Sequence, residues 1–538
     1  MLLKNLNAQS KTITGAAIII GSASLISRII GLVRDRMLAH NFGAGSVMDS
    51  YYAAFKIPDL IYNLLILGAL TAGFIPTFTK LLQKTNKNVA WKMANNVFNI
   101  AGIALIVFCG AGMLFAPWLV PVIAPGFTEV KRALTADFAR VMFLSPLFLG
   151  LSMTLGGILQ SLRRFVFYSL APIFYNVGII IGVLFLVPIL GNIGLAWGVV
   201  FGAFLHFLIQ MIAAIHAGYR WQWIFDLKDK SVQTVGKLMI PRTMGLAVTQ
   251  LNLVIMTILA SWLPSGSIAI YNYAFNIQSV PIGIIGIPFA LAVFPLLSEL
   301  AILKDKKQFI QNLSATIRKI LFLITPITII ILLERAQIVR VILGSGEFDW
   351  TATTATANAL AFFSFGLFAQ TLIPLLARAF YALSDTKTPF FAGVIAELIS
   401  IILALLLMKP WGIIGLVAAI SLGAIFNLII LFIALRQKIG GLEADKIIDA
   451  IYRISVAGLV MAISIQFVKM LWGNNFNLDY FWKVFGQGLI AGIVGLTIYG
   501  LACYFLRLPE FMNFKDSFEK KWLKSRNVPN EELLNIKE

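Results

Sequence analysis

Charge is what this chain has least of. Only 12% of its 538 residues are Asp, Glu, Lys or Arg, against 59% hydrophobic, and the mean hydropathy is +0.88. That balance excludes a soluble enzyme and indicates a polytopic membrane protein, because no long polar stretch remains to hold a soluble catalytic domain. Cysteine is nearly absent too: Cys109 and Cys503 both fall in apolar runs. With three histidines besides, His40, His206 and His216, neither a disulfide framework nor a metal-ligand spacing can be assembled, and each reads best as a packed helix residue. No phosphate-cradling glycine loop and no nucleophile elbow occurs, so no covalent step is expected.

What is present is a succession of apolar runs. A bilayer core needs roughly 20 apolar residues per helical crossing, and about fourteen such runs follow one another. They lie near 12–34, 50–80, 91–121, 133–160, 167–189, 193–217, 237–263, 268–299, 312–333, 355–383, 389–408, 412–435, 447–470 and 482–506. The first follows Lys4 and Lys11, but it is too long for a signal-peptide core and lacks a small-residue cleavage site, so it reads as a retained span. Glycine and proline inside longer runs, as between Val280 and Pro295, predict tilts or breaks that line a cavity. Basic residues collect in alternate connections: Lys80, Lys84, Lys87 and Lys92; Arg163 and Arg164; Arg220, Lys228, Lys230 and Lys237; Lys304, Lys306 and Lys307; Lys387; Arg436, Lys438 and Lys446. Since cytoplasmic loops hold the excess of Lys and Arg, both termini are expected in the cytoplasm. The net charge of +19 is mostly this topological signal plus a basic tail, Lys515, Lys520, Lys521, Lys524 and Arg526, suited to anionic lipid, and a nucleic-acid partner is an unnecessary reading.

The chain also repeats itself. "YYAAFKI" at 51–57 returns as "YNYAFNI" at 271–277, and "FIP" ending at Pro76 as "VFP" ending at Pro295. "GNIGLAWGVVFGAF" from Gly191 matches "GIIGLVAAISLGAI" from Gly412, with Gly191/Gly412, Ile193/Ile414, Gly194/Gly415, Leu195/Leu416, Gly202/Gly423 and Ala203/Ala424 identical. "FLSPLF" at 143–148 and "FFSFGLF" at 362–368 make a weaker third pair. All share one offset, within a residue or two, which compositional coincidence between greasy helices does not enforce. A repeat of six spans, being even, keeps its orientation, so the expected fold is all-α, two six-helix lobes related by a pseudo-two-fold along the membrane normal plus two C-terminal helices. The corresponding divisions are 1–220, 221–440, 441–507 and a cytoplasmic basic tail, 508–538. Transporters built this way hold their cargo between the lobes and expose it to either side by rocking.

Ionisable groups inside hydrocarbon cost a few kcal/mol at least, so those that occur mark a cavity or a partner. Arg28, Arg34, Asp35, Asp49 and Lys56, with Asp59 nearby, form a rich and mainly cationic set in the first repeat; Arg378 and Glu397 stand out in the second. Such a cavity suits an anionic cargo, and arginine forks suit phosphate oxygens. Structural alternatives stand beside each. Arg34 and Arg36 near a helix end can snorkel. Arg28 lies too deep for that, but Asp35, seven residues on, shares nearly its face and can pair with it internally. Asp49 and Lys56 also stand seven apart, and Glu397 serves equally as a proton or cation site or as the partner of Arg378.

The stretches "SRIIGLVRD", "FGAG", "DSYYAAFKIPDL", "GALTAGFIP", "APGF" at 124–127, "GSGEF" at 344–348 and "SDTKTP" at 384–389 resemble, in order from the first span to the twelfth, the MurJ (MviN) lipid II flippases of bacterial peptidoglycan synthesis. The resemblance implies the multidrug/oligosaccharidyl-lipid/polysaccharide exporter fold, with two added helices forming a groove for a polyprenyl tail. It implies a transporter, not an enzyme, that needs no cofactor and moves the undecaprenyl-diphosphate-linked precursor lipid II by alternating access. It further implies that Arg28, Arg34, Asp35, Asp49 and Lys56 are cavity positions, the arginines facing the diphosphate. The chain departs from the family at Tyr62, where many members carry arginine, and at Phe275 and Asn276, where many carry an Asp-Arg pair. Tyr62, Asn276, Arg378 and Glu397 are therefore supporting or coupling candidates. Drive is expected from the membrane potential or a coupling cation. The expected partners are lipid II, membrane lipids and cell-wall synthesis proteins, and the expected working unit is a monomer. A multidrug antiporter of the same fold, which would favour an acidic cavity and twelve spans, and a non-transporting cell-wall scaffold, which would tolerate loss of Arg28, are the competing readings.

Overall fold

Backbone placed in hydrocarbon must satisfy its own N–H and C=O groups, and helices do so within a single segment. The computed structural model describes residues 13–64, 73–84, 86–475, 480–513 and 515, and among them it is built of helices and turns with no strand. Lys4 and Lys11, the stretch 65–72 within the second expected span, and Lys520, Lys521, Lys524 and Arg526 of the tail lie outside the described residues.

Nine helices among the described residues are long and apolar enough to cross a membrane, and ten if the bent pair Trp350–Phe365 and Leu367–Ala382 counts as one span. One of the nine, Lys387–Ile439, has 53 residues, about 80 Å at ~1.5 Å per residue, and a crossing needs only about 30 Å. It is broken at Gly412, whose φ of 55° and ψ of −133° no helix contains, so it supplies both the 389–408 and the 412–435 runs. Three expected runs do not meet the test, which leaves the count of fourteen as an expectation. The first, in helix Ile13–Phe42, carries the charges that prompted the search for a site. The second is divided into short helices, Ser46–Ala54, Lys56–Tyr62 and Ile75–Lys84, and the run near 237–263 contributes only the apolar stretch Gln250–Ser261 of helix Lys230–Ser261. The break expected between Val280 and Pro295 is a π-helical turn, Ile282–Gly286, joining Ser267–Pro281 to Ile287–Ile302, and a second such turn, Gly182–Leu186, follows Phe165–Ile181.

The described residues fall into two compact units, one within Met1–Ile277, Ile342–Ala359 and Glu397–Ile420, the other within Gln278–Val341, Leu360–Ala396 and Ser421–Glu538. In the first, Ile193–His216 packs on Phe165–Ile181 and Leu144–Ser161, and Ile13–Phe42 packs on Phe165–Ile181. This unit also contains Gly191 and Gly412, which open the two members of the strongest sequence repeat, and the geometry there repeats as well. Gly191 has φ 65° and ψ −151°, close to Gly412. Three residues on, a Cβ on Gly194 would lie 2.5 Å from the carbonyl carbon of Leu186, and one on Gly415 would lie 2.4 Å from that of Leu407. Leu407 stands in the same register to Leu186 as Gly412 does to Gly191. Both copies thus turn between two helices on a left-handed glycine and then press a second glycine against the preceding helix end.

In the second unit, helix Lys306–Leu333 packs against Ala444–Asn475, which pairs with Phe481–Phe505. Phe322, Ile454, Met461, Ala491 and Tyr499 form their shared apolar core, and the Tyr499 hydroxyl donates to the Phe322 carbonyl at 2.9 Å. The "SDTKTP" turn lies in the same unit. Asp385 accepts from the Thr388 N–H (3.0 Å), the Thr388 hydroxyl (2.7 Å) and the Lys438 ammonium. Its slight burial works to raise the carboxyl pKa, but hydrogen bonds from Lys438 and Thr388 outweigh that and hold it at about 2. A carboxyl held below its ordinary value contributes stability that is complete above about pH 4 and is lost as pH falls toward the folded value. Asp385→Asn should therefore lower the thermal unfolding temperature in detergent more at about pH 7 than at about pH 3. An equal drop at both would reject the linkage.

Candidate functional site

An apolar helix that carries charge must turn it away from lipid. On Ile13–Phe42 the exposed residues Leu25, Ile26, Ile29 and Val33 fall along one face. At about 100° per residue, Arg28, Arg34 and Asp35 all lie more than roughly 100° around the helix from that face's centre. Arg34 then meets three acceptor contacts. Its Nε and Nη2 donate to Asp35 Oδ1 at 3.0 and 2.7 Å, and its Nη1 donates to Asn176 Oδ1 at 2.8 Å. The other carboxylate oxygen, Oδ2, accepts from Asn276 Nδ2 at 2.9 Å. Asp35 is thus buried with both oxygens occupied, while two of the five guanidinium N–H groups keep no partner among the described residues.

Arg34 lines a cavity of about 410 Å³ that lies wholly within the first unit. Arg34, Lys56, Tyr62 and Asn276 of the expected residues line it, together with Asp59, Tyr175, His206 and Asn272. The expected cationic character is offset: Arg34 and Lys56 stand against Asp35, directly behind Arg34, and Asp59, on the same helix as Lys56. His206, read from sequence only as a packed residue, reaches the wall with its Nδ1 2.7 Å from the Ser152 hydroxyl. Asn176 gave no charge signal, and its role depends on a neighbour 142 positions away.

The other expected residues stand outside the lining. Arg28 is half-buried, six residues before Arg34. Asp49 pairs with Lys131 Nζ at 2.8 Å, not with Lys56. Its Oδ2 also accepts the Gly266 N–H at 2.7 Å and its Oδ1 the Ala269 N–H at 2.9 Å. A carboxylate so placed satisfies the free N–H groups that open helix Ser267–Pro281 and suits its positive end. Glu397 accepts from the Asn252 amide. Arg378, in the second unit, donates to its own helix at the Pro374 carbonyl, 3.1 Å away.

A bracketed arginine facing a cavity inside an all-helical membrane protein is one half of a comparison with known proteins, and residues 38–485 match the family model "Lipid II flippase MurJ". The chain belongs to the lipid II flippase MurJ family. It is 31% identical over 501 residues to the probable lipid II flippase MurJ of Rickettsia prowazekii, covering 92% of this chain and 97% of that one. To the probable lipid II flippase MurJ of Vibrio cholerae it is 29% identical over 512 residues, covering 92% and 95%. The fold agrees with a solved structure titled lipid II flippase MurJ, inward closed conformation, at a TM-score of 0.76 and 24% identity, over 91% of this chain and 99% of that one. An inward-facing multidrug MATE transporter of the MOP superfamily follows at 0.65 and 14% identity, over 80% and 99%. Both share the fold.

Asp35 offers a direct check on the bracket. Asn276→Ala leaves a buried carboxylate oxygen without its donor and should cost about 1–3 kcal/mol of stability. Asn276→Asp, which sets a second carboxylate beside the first, should cost more. Thermal unfolding of the purified variants in detergent measures both, and equal, negligible shifts would show that the bond carries no weight.

Proposed function

We propose that this chain carries lipid II from the inner to the outer leaflet of the bacterial cytoplasmic membrane by alternating access. Membership of the MurJ family supports the cargo, and the observation that carries the chemistry is the Arg34 guanidinium, fixed by Asp35 and Asn176 with N–H groups left over on a cavity wall. A planar donor fork held in place is what a diphosphate needs, because phosphate oxygens accept paired N–H bonds and the geometry is set before the cargo arrives. In this reading Lys56 supports the diphosphate, Arg28 attracts it along the same helix, and Tyr62, Asn272 and Asn276 offer neutral hydrogen bonds to the sugar and peptide. The undecaprenyl tail stays in lipid beside helices Ala444–Asn475 and Phe481–Phe505. Both termini face the cytoplasm, following the basic connections.

Release to the far side requires the Asp49 clasp on Gly266 and Ala269 to open, so Asp49 and Lys131 act as the latch and not as cargo contacts. No step makes or breaks a covalent bond. Each charge carried across 100 mV is worth about 2.3 kcal/mol, which suffices to bias the cycle. Glu397, hydrogen-bonded by Asn252, is the carboxylate placed to couple a cation or proton to it. The Arg34 fork on the cavity wall and the added helix pair favour this reading over a multidrug antiporter, whose organic-cation cargo Arg34 would repel.

Complementation of a flippase-depleted bacterium, with outer-leaflet lipid II measured directly, tests it. The loss of a charge-assisted contact of about 1.5–3 kcal/mol should reduce translocation by Arg34→Ala roughly tenfold to a hundredfold, and the Arg28→Ala/Arg34→Ala double variant should not complement. Normal translocation by the double variant, at normal membrane levels, would sink the mechanism and leave a scaffold role. Glu397→Gln should translocate at a rate that no longer responds to an imposed ion gradient; an unchanged response would exclude Glu397 as the coupling group.

A further inference from the structure

The longest basic connection, between Ile193–His216 and Lys230–Ser261, is not a free loop. Three asparagines on one face of helix Lys87–Ile123 hold its backbone, as a neighbouring strand would. Asn95 donates to the Arg220 carbonyl (3.0 Å) and accepts the Gln222 N–H (2.9 Å). Asn99 donates to the Gln222 and Ile224 carbonyls, both at 2.9 Å. Asn96 donates to the Asp226 carbonyl (2.8 Å) and accepts its N–H (2.9 Å). Only even-numbered residues are held through their backbone, the two-residue period of an extended chain turning one edge to its partner; Tyr219 and Trp221 add side-chain bonds, the Tyr219 hydroxyl donating to Asn95 Oδ1 at 2.9 Å and the Trp221 indole N–H to Asn99 Oδ1 at 3.0 Å. Tyr219 is buried, but the next four odd-numbered side chains stand out from the strip: Trp221, Trp223, Phe225 and Leu227 are 56%, 66%, 48% and 58% exposed.

The depth of this strip follows from the helix that holds it. Helix Lys87–Ile123 has 37 residues, about 55 Å, so it overruns a hydrocarbon core of about 30 Å. Apart from Val89 in its first turn, its large exposed apolar side chains run from Ile106 to Val122, the latter 66% exposed, which marks the lipid-facing part. About 20 residues back from Val122 is position 102, so Asn99 and Asn95 sit roughly 5 to 10 Å beyond the hydrocarbon edge. That is the headgroup layer, where Trp side chains collect. Arg220, Lys228 and Lys230, all exposed, flank the strip with the charge that anionic headgroups attract.

We propose that residues 219–227 are a membrane-interface anchor, an extended strip pinned by Asn95, Asn96 and Asn99 that lays Trp221, Trp223, Phe225 and Leu227 against the lipid headgroup layer on the side of the basic connections. A stripe of four large apolar side chains in water is what soluble loops avoid; the backbone held from 220 to 226 sets Trp221, Trp223 and Phe225 on one side, and Leu227 follows in the turn after it. The anchor holds the connection between the two sequence repeats at constant depth.

A nitroxide at position 223, from Trp223→Cys in a Cys109→Ala/Cys503→Ala background, reports its surroundings in vesicles of phosphatidylcholine with phosphatidylglycerol. Collisions with oxygen should exceed those with a water-soluble nickel chelate, and Lys228→Cys should give the reverse order. Nickel-dominated collisions at 223 would overturn the proposal, as would exclusion of both reagents, which would mean that a second copy or another protein covers the strip. The conservative Trp223→Phe chain gives an independent reading if the cysteine-free background fails to fold. Lipids brominated near the headgroup should quench the native chain by a larger fraction than this variant; equal fractional quenching would also overturn it.

Discussion

Everything in the first unit depends on one constraint: a polar group withdrawn from water must find its partner inside the protein. The Arg34–Asp35 pair shows how. Two charges on adjacent residues neutralise each other at 2.7 Å, and amides from two other helices, Asn176 and Asn276, complete each partner. Because the pair needs both amides, it fixes the rotation of helix Ile13–Phe42, which turns Leu25, Ile29 and Val33 outward. The same constraint accounts for Asp49, whose oxygens are occupied by an ammonium and two backbone N–H groups. Removing one member of such a set leaves a buried charge uncompensated, which is why these groups come as sets and not as pairs.

The repeat explains where that constraint had to break symmetry. In the register that aligns "YYAAFKI" with "YNYAFNI", Asp49 corresponds to Ala269, and these are the two residues that touch: Asp49 Oδ1 accepts the Ala269 N–H. Contact between counterparts is what a two-fold relation produces at its axis. A carboxylate at both positions would set like charges against each other with no N–H to accept. One copy therefore keeps the acid and the other offers bare helix N–H groups. Elsewhere the copies stayed alike, as at Gly191 and Gly412, where a turn between helices needs the same left-handed conformation in each and no charge is at stake.

Sequence revealed the groups whose cost is local and hid those whose meaning is a partner. An arginine amid apolar residues, a glycine after a helix and a run of 20 hydrophobic residues are each legible alone, and Arg34, Lys56, Tyr62 and the π-helical break after Pro281 all lie where reading the chain places something unusual. Pairing was not legible. The spacing of seven that joins Arg28 to Asp35 and Asp49 to Lys56 describes one ideal helix, whereas Asp35 takes its neighbour Arg34, and between Asp49 and Lys56 the helix is interrupted at Phe55. Neutral amides were quieter still. "MANNVFN" at 93–99 looks like a weak helix segment until the backbone of residues 220–226 lies against it.

The departure at Asn276 bears on the charge that a cargo meets. At Asn276 this chain presents an amide that bonds Asp35 but adds no charge. Arg34 and Lys56 are then matched by Asp35 and Asp59, so the wall and its immediate backing are formally neutral before anything binds. A diphosphate entering such a cavity brings charge that these four residues do not balance, and at an effective dielectric of about 20 two unit charges 4 Å apart still interact by about 4 kcal/mol. The balance must come from Arg28, from a cation that travels with the cargo, or from a proton on one of the carboxylates. Tight binding is also not what a carrier needs, since a cargo held by a full cationic cluster leaves slowly. A neutral wall with two oriented N–H groups to spare recognises phosphate by geometry more than by charge, and leaves net charge to be supplied by whatever drives the cycle.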